Sequence, residues 1–188
     1  MLCDDSAMAD LRPGQLLVAS PLLGDSNFRR TVVLVCRHGD EGTMGVVLNR
    51  ALKIPVTDRL VAWSELVASP AFFFEGGPVE PNRVIALARG DRDRLSLEIE
   101  DGFGLVDLES GPDATPAAFE RVRLFAGYAG WEADQLEGEI GDGGWFIVDA
   151  APDDAFAEEP SALWRDVLRR QRGELQMLAF YPERIELN

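Results

Sequence analysis

The residues of this chain best suited to chemistry stand at the ends of short apolar runs: Arg30 and Thr31, Asn49 and Arg50, the Gly76-Gly77 pair, and Glu137. A guanidinium offers a planar donor fork to a carboxylate or phosphate, and asparagine and glycine N–H groups add donors beside it. Together these residues describe a binding site for a small anion. The same types also suit a structural network in which Arg30 or Arg50 pairs with Glu137 or Asp25 and closes the ends of a sheet. No nucleophile or base accompanies the cluster, so a catalytic role is not assigned to it.

Enzyme chemistry is further restricted by the inventory of side chains. There is one histidine, His38, and one lysine, Lys53. A triad would have to join His38, placed on a hairpin loop, to Ser20, Ser64 or Cys36, and none of these serines lies in Gly-X-Ser-X-Gly. Lys53 shares a loop with Arg50 and lacks an apolar neighbourhood to depress its pKa. Zinc would need ligands that one histidine and two distant cysteines, Cys3 and Cys36, do not supply. A divalent-metal hydrolase built on Glu137, Glu139 or Asp25 is the competing reading, with Asp142 and Asp149 as further carboxylates. Glu137 and Glu139 fall on a helical turn, where a spacing of two separates them around the axis. Gly76-Gly77-Pro78 follows a strand but lacks the lysine of a phosphate-binding loop, and Gly127 to Gly130 and Gly141 to Gly144 have the wrong spacing for a dinucleotide fold. Tight turns and close packing account for all three.

Charge narrows the partners. With 33 acidic and 18 basic residues the formal net charge is −15, which repels nucleic-acid backbones and anionic membranes. Arg165, Arg169, Arg170 and Arg172 form the one basic cluster, which reads as the solvated face of a helix with basic residues toward its C-terminus. Sparse cysteine fits a cytoplasmic protein, and no apolar run reaches membrane-spanning length. No cofactor is implied. The partner is an unidentified protein or a small anionic ligand.

The elements that must position these residues are given by apolar periodicity. Residues 1–10 read as a disordered tail, and 11–188 as one domain. Short β-branched runs at Leu16–Ala19, Thr31–Cys36 and Gly45–Asn49 predict buried strands, the last two joined as a hairpin through the loop His38–Gly42. Val56, Leu60, Trp63 and Val67 predict an amphipathic helix over Val56–Ala68. Strands come next at Phe72–Glu75 and Arg83–Arg89. Asp101-Gly102 is the strongest hairpin signal, and a two-residue turn there sets Leu97 opposite Val106. Thr115-Pro116 starts a short helix, and Val122–Ala126 and Trp145–Asp149 are strands. Ser161 caps a helix carrying Leu163, Trp164, Val167 and Leu168, which Gly173 stops, and Leu175–Tyr181 predicts a last strand. The class is α/β of the α+β kind: one layered domain with a mixed, largely antiparallel sheet and three to four helices.

Ordered along the chain, Leu16-Leu-Val-Ala-Ser-Pro21, Asp25 with Phe28-Arg-Arg-Thr31-Val32-Val33, Gly45-Val-Val-Leu-Asn49-Arg50, Gly76-Gly-Pro-Val79, and Gly127-Tyr-Ala-Gly-Trp131 with Gln135-Leu-Glu137 resemble the YqgE/AlgH family. The resemblance spans Leu11 to Asn188. It implies a bacterial cytoplasmic protein with a single α/β domain, in a family without an established biochemical activity, some of whose members carry the label of transcriptional regulator. This chain shows no helix-turn-helix, and its charge opposes direct DNA binding. It departs from the family pattern at Ser26 and Ala51, where proline is common, and at Asp134, where glycine is common. The function expected is therefore that of a non-catalytic binding or regulatory protein.

Overall fold

A computed structural model describes residues 11–56, 63–108 and 118–182. The short β-branched runs become strands buried on both faces, because helices and loops cover each side of the sheet. In chain order the elements are β1 (Gln15–Ala19), β2 (Val32–Gly39), β3 (Gly42–Val47), β4 (Ala51–Pro55), β5 (Phe72–Glu75), β6 (Val79–Gly90), β7 (Leu97–Glu100), β8 (Phe103–Val106), β9 (Phe119–Trp131), α1 (Gln135–Gly141), β10 (Trp145–Asp149), α2 (Leu163–Arg169) and α3 (Glu174–Leu178). The sheet runs β10-β1-β2-β3-β9-β6-β8-β7, with β4 and β5 attached to one side of β9. All pairings are antiparallel except that of β5 with β9. This is the mixed, largely antiparallel α+β domain that the sequence predicts.

Strand β9 is the hub. Along one edge it pairs with β6. Along the other it pairs with β5 at Phe125–Ala126 and with β3 at Ala129–Trp131. Side-chain alternation then sends Leu16, Val18, Leu34, Leu48 and Phe125 into a central core with α2, and Leu17, Val33, Val47 and Trp131 into a second one. Ala86, Ala88, Val122 and Leu124 face a third layer under Trp63.

Several expectations change. Leu175–Tyr181 is not a strand: Glu174–Leu178 is α3, and Leu175, Leu178 and Ala179 pack at helical spacing on the central core. A short apolar run fits either period, and packing against α2 decides it. Ser161 does not cap α2. A 3-10 turn begins at Pro160, Ala162 donates its N–H to Glu159 O at 3.0 Å, and the helix starts at Leu163. It ends at Arg169, well before Gly173, whose φ of +67° instead opens α3. The Asp101-Gly102 turn forms, but Leu97 faces Leu105 rather than Val106, because a bulge at Ile99 slips the register by one. His38 lies in β2 rather than a loop, since the hairpin turns at Asp40-Glu41. Lys53 lies in β4 rather than a loop. The expected tail and the Thr115-Pro116 helix fall outside the described residues, as do 57–62 of the expected Val56–Ala68 helix; its second half, 63–68, is a turn in which Leu66 donates its N–H to Trp63 O at 2.9 Å and Val67 bridges Val122, so no α-helix forms there.

Candidate functional site

Where β2 begins and β3 ends, two chain segments cross and are tied by Asn49. Its Nδ2 donates to Arg30 O at 2.8 Å, and its Oδ1 accepts from Val32 N at 3.0 Å. An asparagine serves here because its amide carries the donor NH₂ and the acceptor oxygen on separate atoms, so one side chain answers both segments. Thr31, fully buried, donates its hydroxyl to Phe28 O at 2.8 Å. Arg30 occupies the left-handed region at φ +55°. That conformation turns its guanidinium onto the ring of Trp164, 4.3 Å from the centroid, where Nη2 donates to Tyr181 O.

Arg50 is the next residue after Asn49. Its Nη2 donates to Ser26 O at 3.2 Å and Arg29 O at 3.4 Å, and Nη1 lies 3.7 Å from Glu75 Oε2. Arg50, Asn49, Glu75, Leu52, Pro160 and Ser161 line a cavity of about 450 Å³. Neither Glu137 nor Asp25 pairs with either arginine among the described residues. Arg50 is paired instead with Glu75, which reaches the site because Glu75 N donates to Arg50 O at 2.8 Å.

Gly76 and Gly77 lie beside this cavity but face the protein. Gly76 N donates to Ala126 O, and Val47 N donates to Gly76 O, both at 2.8 Å. A Cβ on Gly76 would sit 2.2 Å from Gly127 O, and one on Gly77, at φ +150°, 2.3 Å from Tyr128 backbone. These glycines let the β5–β6 turn cross β9 at van der Waals distance.

Glu137 is half-buried on α1 and is not brought to the cavity. Its neighbour Glu139 is structural. Oε2 accepts from the indole N–H groups of Trp131 at 3.0 Å and Trp145 at 2.8 Å, and Oε1 from Gln135 at 3.0 Å. The two indoles meet edge to face with centroids 5.7 Å apart and enclose Phe28. Asp25 accepts from Asn27 N at 2.8 Å in an exposed turn. Among the described residues, no three His, Cys, Asp or Glu side chains are grouped so as to hold a metal ion. His38 Nδ1 and Thr43 Oγ1 share a hydrogen bond of 2.8 Å. Cys36 is buried, and burial pushes its thiol up to about 12, so it is no nucleophile at neutral pH. Asp134 holds φ +64° before α1, a conformation that favours glycine.

Sequence reasoning missed Arg123. It is completely buried in β9, donates to Ala157 O at 2.9 Å and Ser69 O at 2.5 Å, and lies 4.4 Å over the ring of Phe74. Burial, then the nearby Arg121 charge, push its guanidinium down to about 10, so it stays protonated at neutral pH. The signal was the alternation Arg121-Val-Arg123-Leu-Phe125, which puts Arg123 on the face that buries Phe125.

Residues 16–176 match the family model described as AlgH-like. A UPF0301 protein of Streptomyces coelicolor is 44% identical over 182 residues, covering 93% of this chain and 94% of the relative. One from Thermobifida fusca is 45% identical over 187 residues, again covering 93% and 94%. Two solved structures share the fold. Protein DIP2367 of Corynebacterium diphtheriae superposes with a TM-score of 0.83 at 30% identity, covering 96% of this chain and 100% of the other. The AlgH protein of Pseudomonas aeruginosa gives 0.69 at 26% identity, covering 98% and 99%.

Proposed function

This chain belongs to the AlgH-like family, and on that premise we propose that it is a non-catalytic, cytoplasmic binding or regulatory protein that takes a small anionic ligand beside Asn49 and Arg50. The observation that carries the reading is the 450 Å³ cavity with the Arg50 guanidinium in its wall. Its size falls within the roughly 300–1,000 Å³ of small-molecule sites. Glu75, at 3.7 Å, is a loose counter-ion that a ligand carboxylate or phosphate can displace while gaining the donor fork. Ser161 adds a hydroxyl to the lining. Arg30, Thr31, Gly76 and Gly77 hold the crossing in place rather than touch the ligand. Glu137 has no part in it. Regulation, where family members carry that label, would run through the ligand or a protein partner and not through DNA, since the net charge of −15 opposes a polyanion.

The test is a thermal-shift screen against phosphorylated metabolites, dicarboxylates and nucleotides. A ligand at a hundred times its Kd adds about 2.7 kcal/mol, or roughly 5–11 °C for a chain of this size. Arg50→Gln should abolish the shift of any hit. A hit that survives it would place the ligand elsewhere, and a screen without hits would remove the reading.

A further inference from the structure

Among the described residues that line the cavity at Arg50, that arginine is the one cation and Glu75 the one carboxylate. They stand beside each other without closing on each other: Nη1 lies 3.7 Å from Oε2, against the roughly 2.7–2.9 Å of a charge-assisted hydrogen bond. Each is held in place by other contacts. Arg50 Nη2 donates to Ser26 O and Arg29 O, and Glu75 is fixed at its backbone in β5, where it pairs with Ala126. Their side chains are 26% and 45% exposed, so both charges are reached from solvent and partly shielded from it. Ala51, Leu52 and Pro160 supply the apolar part of the lining, and Pro160 is buried. Summed over its side chains the cavity is neutral, with a positive and a negative charge side by side against an apolar surface.

From this geometry we infer that the ligand is a zwitterion of the α-amino acid class with an apolar side chain. Its carboxylate takes Arg50, its ammonium takes Glu75, and its side chain lies on Leu52 and Pro160. The inference rests on the reading that Arg50 receives the ligand's anionic group, and names the rest of the molecule. A phosphate dianion would bring two negative charges to one guanidinium with a carboxylate beside it, and like charges so placed oppose binding. A plain carboxylate fits the planar guanidinium but parts it from Glu75, which then loses its counter-ion. The ammonium of an amino acid restores what that insertion removes. Each charge of the site ends with a partner, and nothing is added to the net charge of a chain already at −15.

The probes are leucine and phenylalanine, titrated by calorimetry into the whole chain beside isocaproate and hydrocinnamate, which lack only the amine, and isopentyl phosphate. In the parent chain each amino acid should bind about tenfold more tightly than its amine-free counterpart, the low end for a hydrogen bond between charged groups because both partners are part-exposed. That comparison is independent of any variant. Glu75→Gln should erase the preference by weakening the amino acids about tenfold. Isocaproate should bind that variant as well as it binds the parent or better, because the carboxylate competing for Arg50 is gone. Glu75 is part-exposed, so the variant folds, which its melting curve checks. Arg50→Gln should abolish binding of both kinds. Equal binding of an amino acid and its amine-free counterpart, a preference that survives Glu75→Gln, or tighter binding of isopentyl phosphate would each overturn the inference. If those ligands were still lost in Arg50→Gln, the cavity would stand as an anion site without the zwitterion. Absence of binding by every probe would overturn the inference too, and the anion site would then be decided by its own screen.

Discussion

Replacing Glu139 by glutamine tests whether this carboxylate is a structural acceptor or a ligand for metal. In the folded chain its Oε2 takes the N–H groups of Trp131 and Trp145, which are 5% and 2% exposed. Hydrogen bonds to an ionised acceptor contribute about 1.5–3 kcal/mol each, and neutral ones about 0.5–1.5. Glutamine keeps one oxygen for the indoles, so two charge-assisted bonds fall to neutral strength, a loss of about 2 kcal/mol. Its new NH₂ also meets the Gln135 donor that Oε1 accepted, so the loss is not smaller. Alanine leaves both indole N–H groups without an acceptor, at about 1–3 kcal/mol each, and should cost more than glutamine. Urea unfolding monitored by tryptophan fluorescence reads both values, since Trp131 and Trp145 are two of the four tryptophans in the chain. For glutamine the melting temperature should fall by roughly 4–8 °C, equally with and without Mg²⁺. A variant within about 0.5 kcal/mol of the parent, or a loss that appears only with Mg²⁺, would refute the structural assignment.

Gly76→Ala should destabilise the fold by about 3 kcal/mol or more, because the added methyl would sit 2.2 Å from the backbone oxygen of Gly127 and neither chain can retreat; chemical denaturation measures it. Gly138→Ala is the matched opposite: it lies inside α1 with nothing within 4 Å of the new Cβ, and should stabilise by about 0.5–1 kcal/mol in the same assay. Arg123→Met removes the charged donors to the carbonyls of Ala157 and Ser69, and the loss of two part-buried, charge-assisted bonds should cost about 2–4 kcal/mol. Cys36 predicts an alkaline limb. Its folded pKa of about 12 lies above the ordinary thiol value of 9.0, so the unfolded chain loses the proton first and stability falls as pH rises through that window. The loss from this thiol reaches about 1.4 kcal/mol at pH 10, and Cys36→Ala should flatten the limb by that amount; an unchanged slope would show that the thiol is not held neutral.

How much of the fold was legible in the sequence depended on how local its cause was. Leu16–Ala19 and Thr31–Cys36 read as strands because burial on both faces leaves continuous apolar runs, and the Asp101-Gly102 turn read correctly because glycine at φ +65° is a local requirement. The bulge at Ile99 was not legible, since it answers to the packing of β7 on β8. Strand β4 was hidden because most of Ala51–Pro55 is exposed and so lacks apolar alternation. Asn49 and Arg50 were found from their types, but their partners Glu75 and Ser161 arrive from distant segments, and only the pairing of β4 with β5 brings Glu75 to Arg50. Glu139 was weighed as a ligand because no spacing rule reveals that two tryptophans from different strands would claim the same oxygen.

The family motifs gather at one structural event. Gly45 lets β3 approach Leu34 O, where a Cβ would sit at 2.5 Å; Gly76 and Gly77 cross Gly127 and Tyr128; and Gly127, at φ +70°, passes under Gly77 O and Val79 O. Together they make the fork at which β3 and β5 part along β9 while β6 is forced out of register on the other side. Replacing any of these glycines would push the strands apart and re-aim the segments that leave the crossing: Asn49-Arg50 on one side of the fork and Glu80–Arg83 on the other. The glycines therefore act on the Arg50 cavity without lining it, because the close crossing fixes where that cavity opens. Substitution at the crossing should impair stability and ligand binding together, whereas Arg50→Gln should impair binding alone.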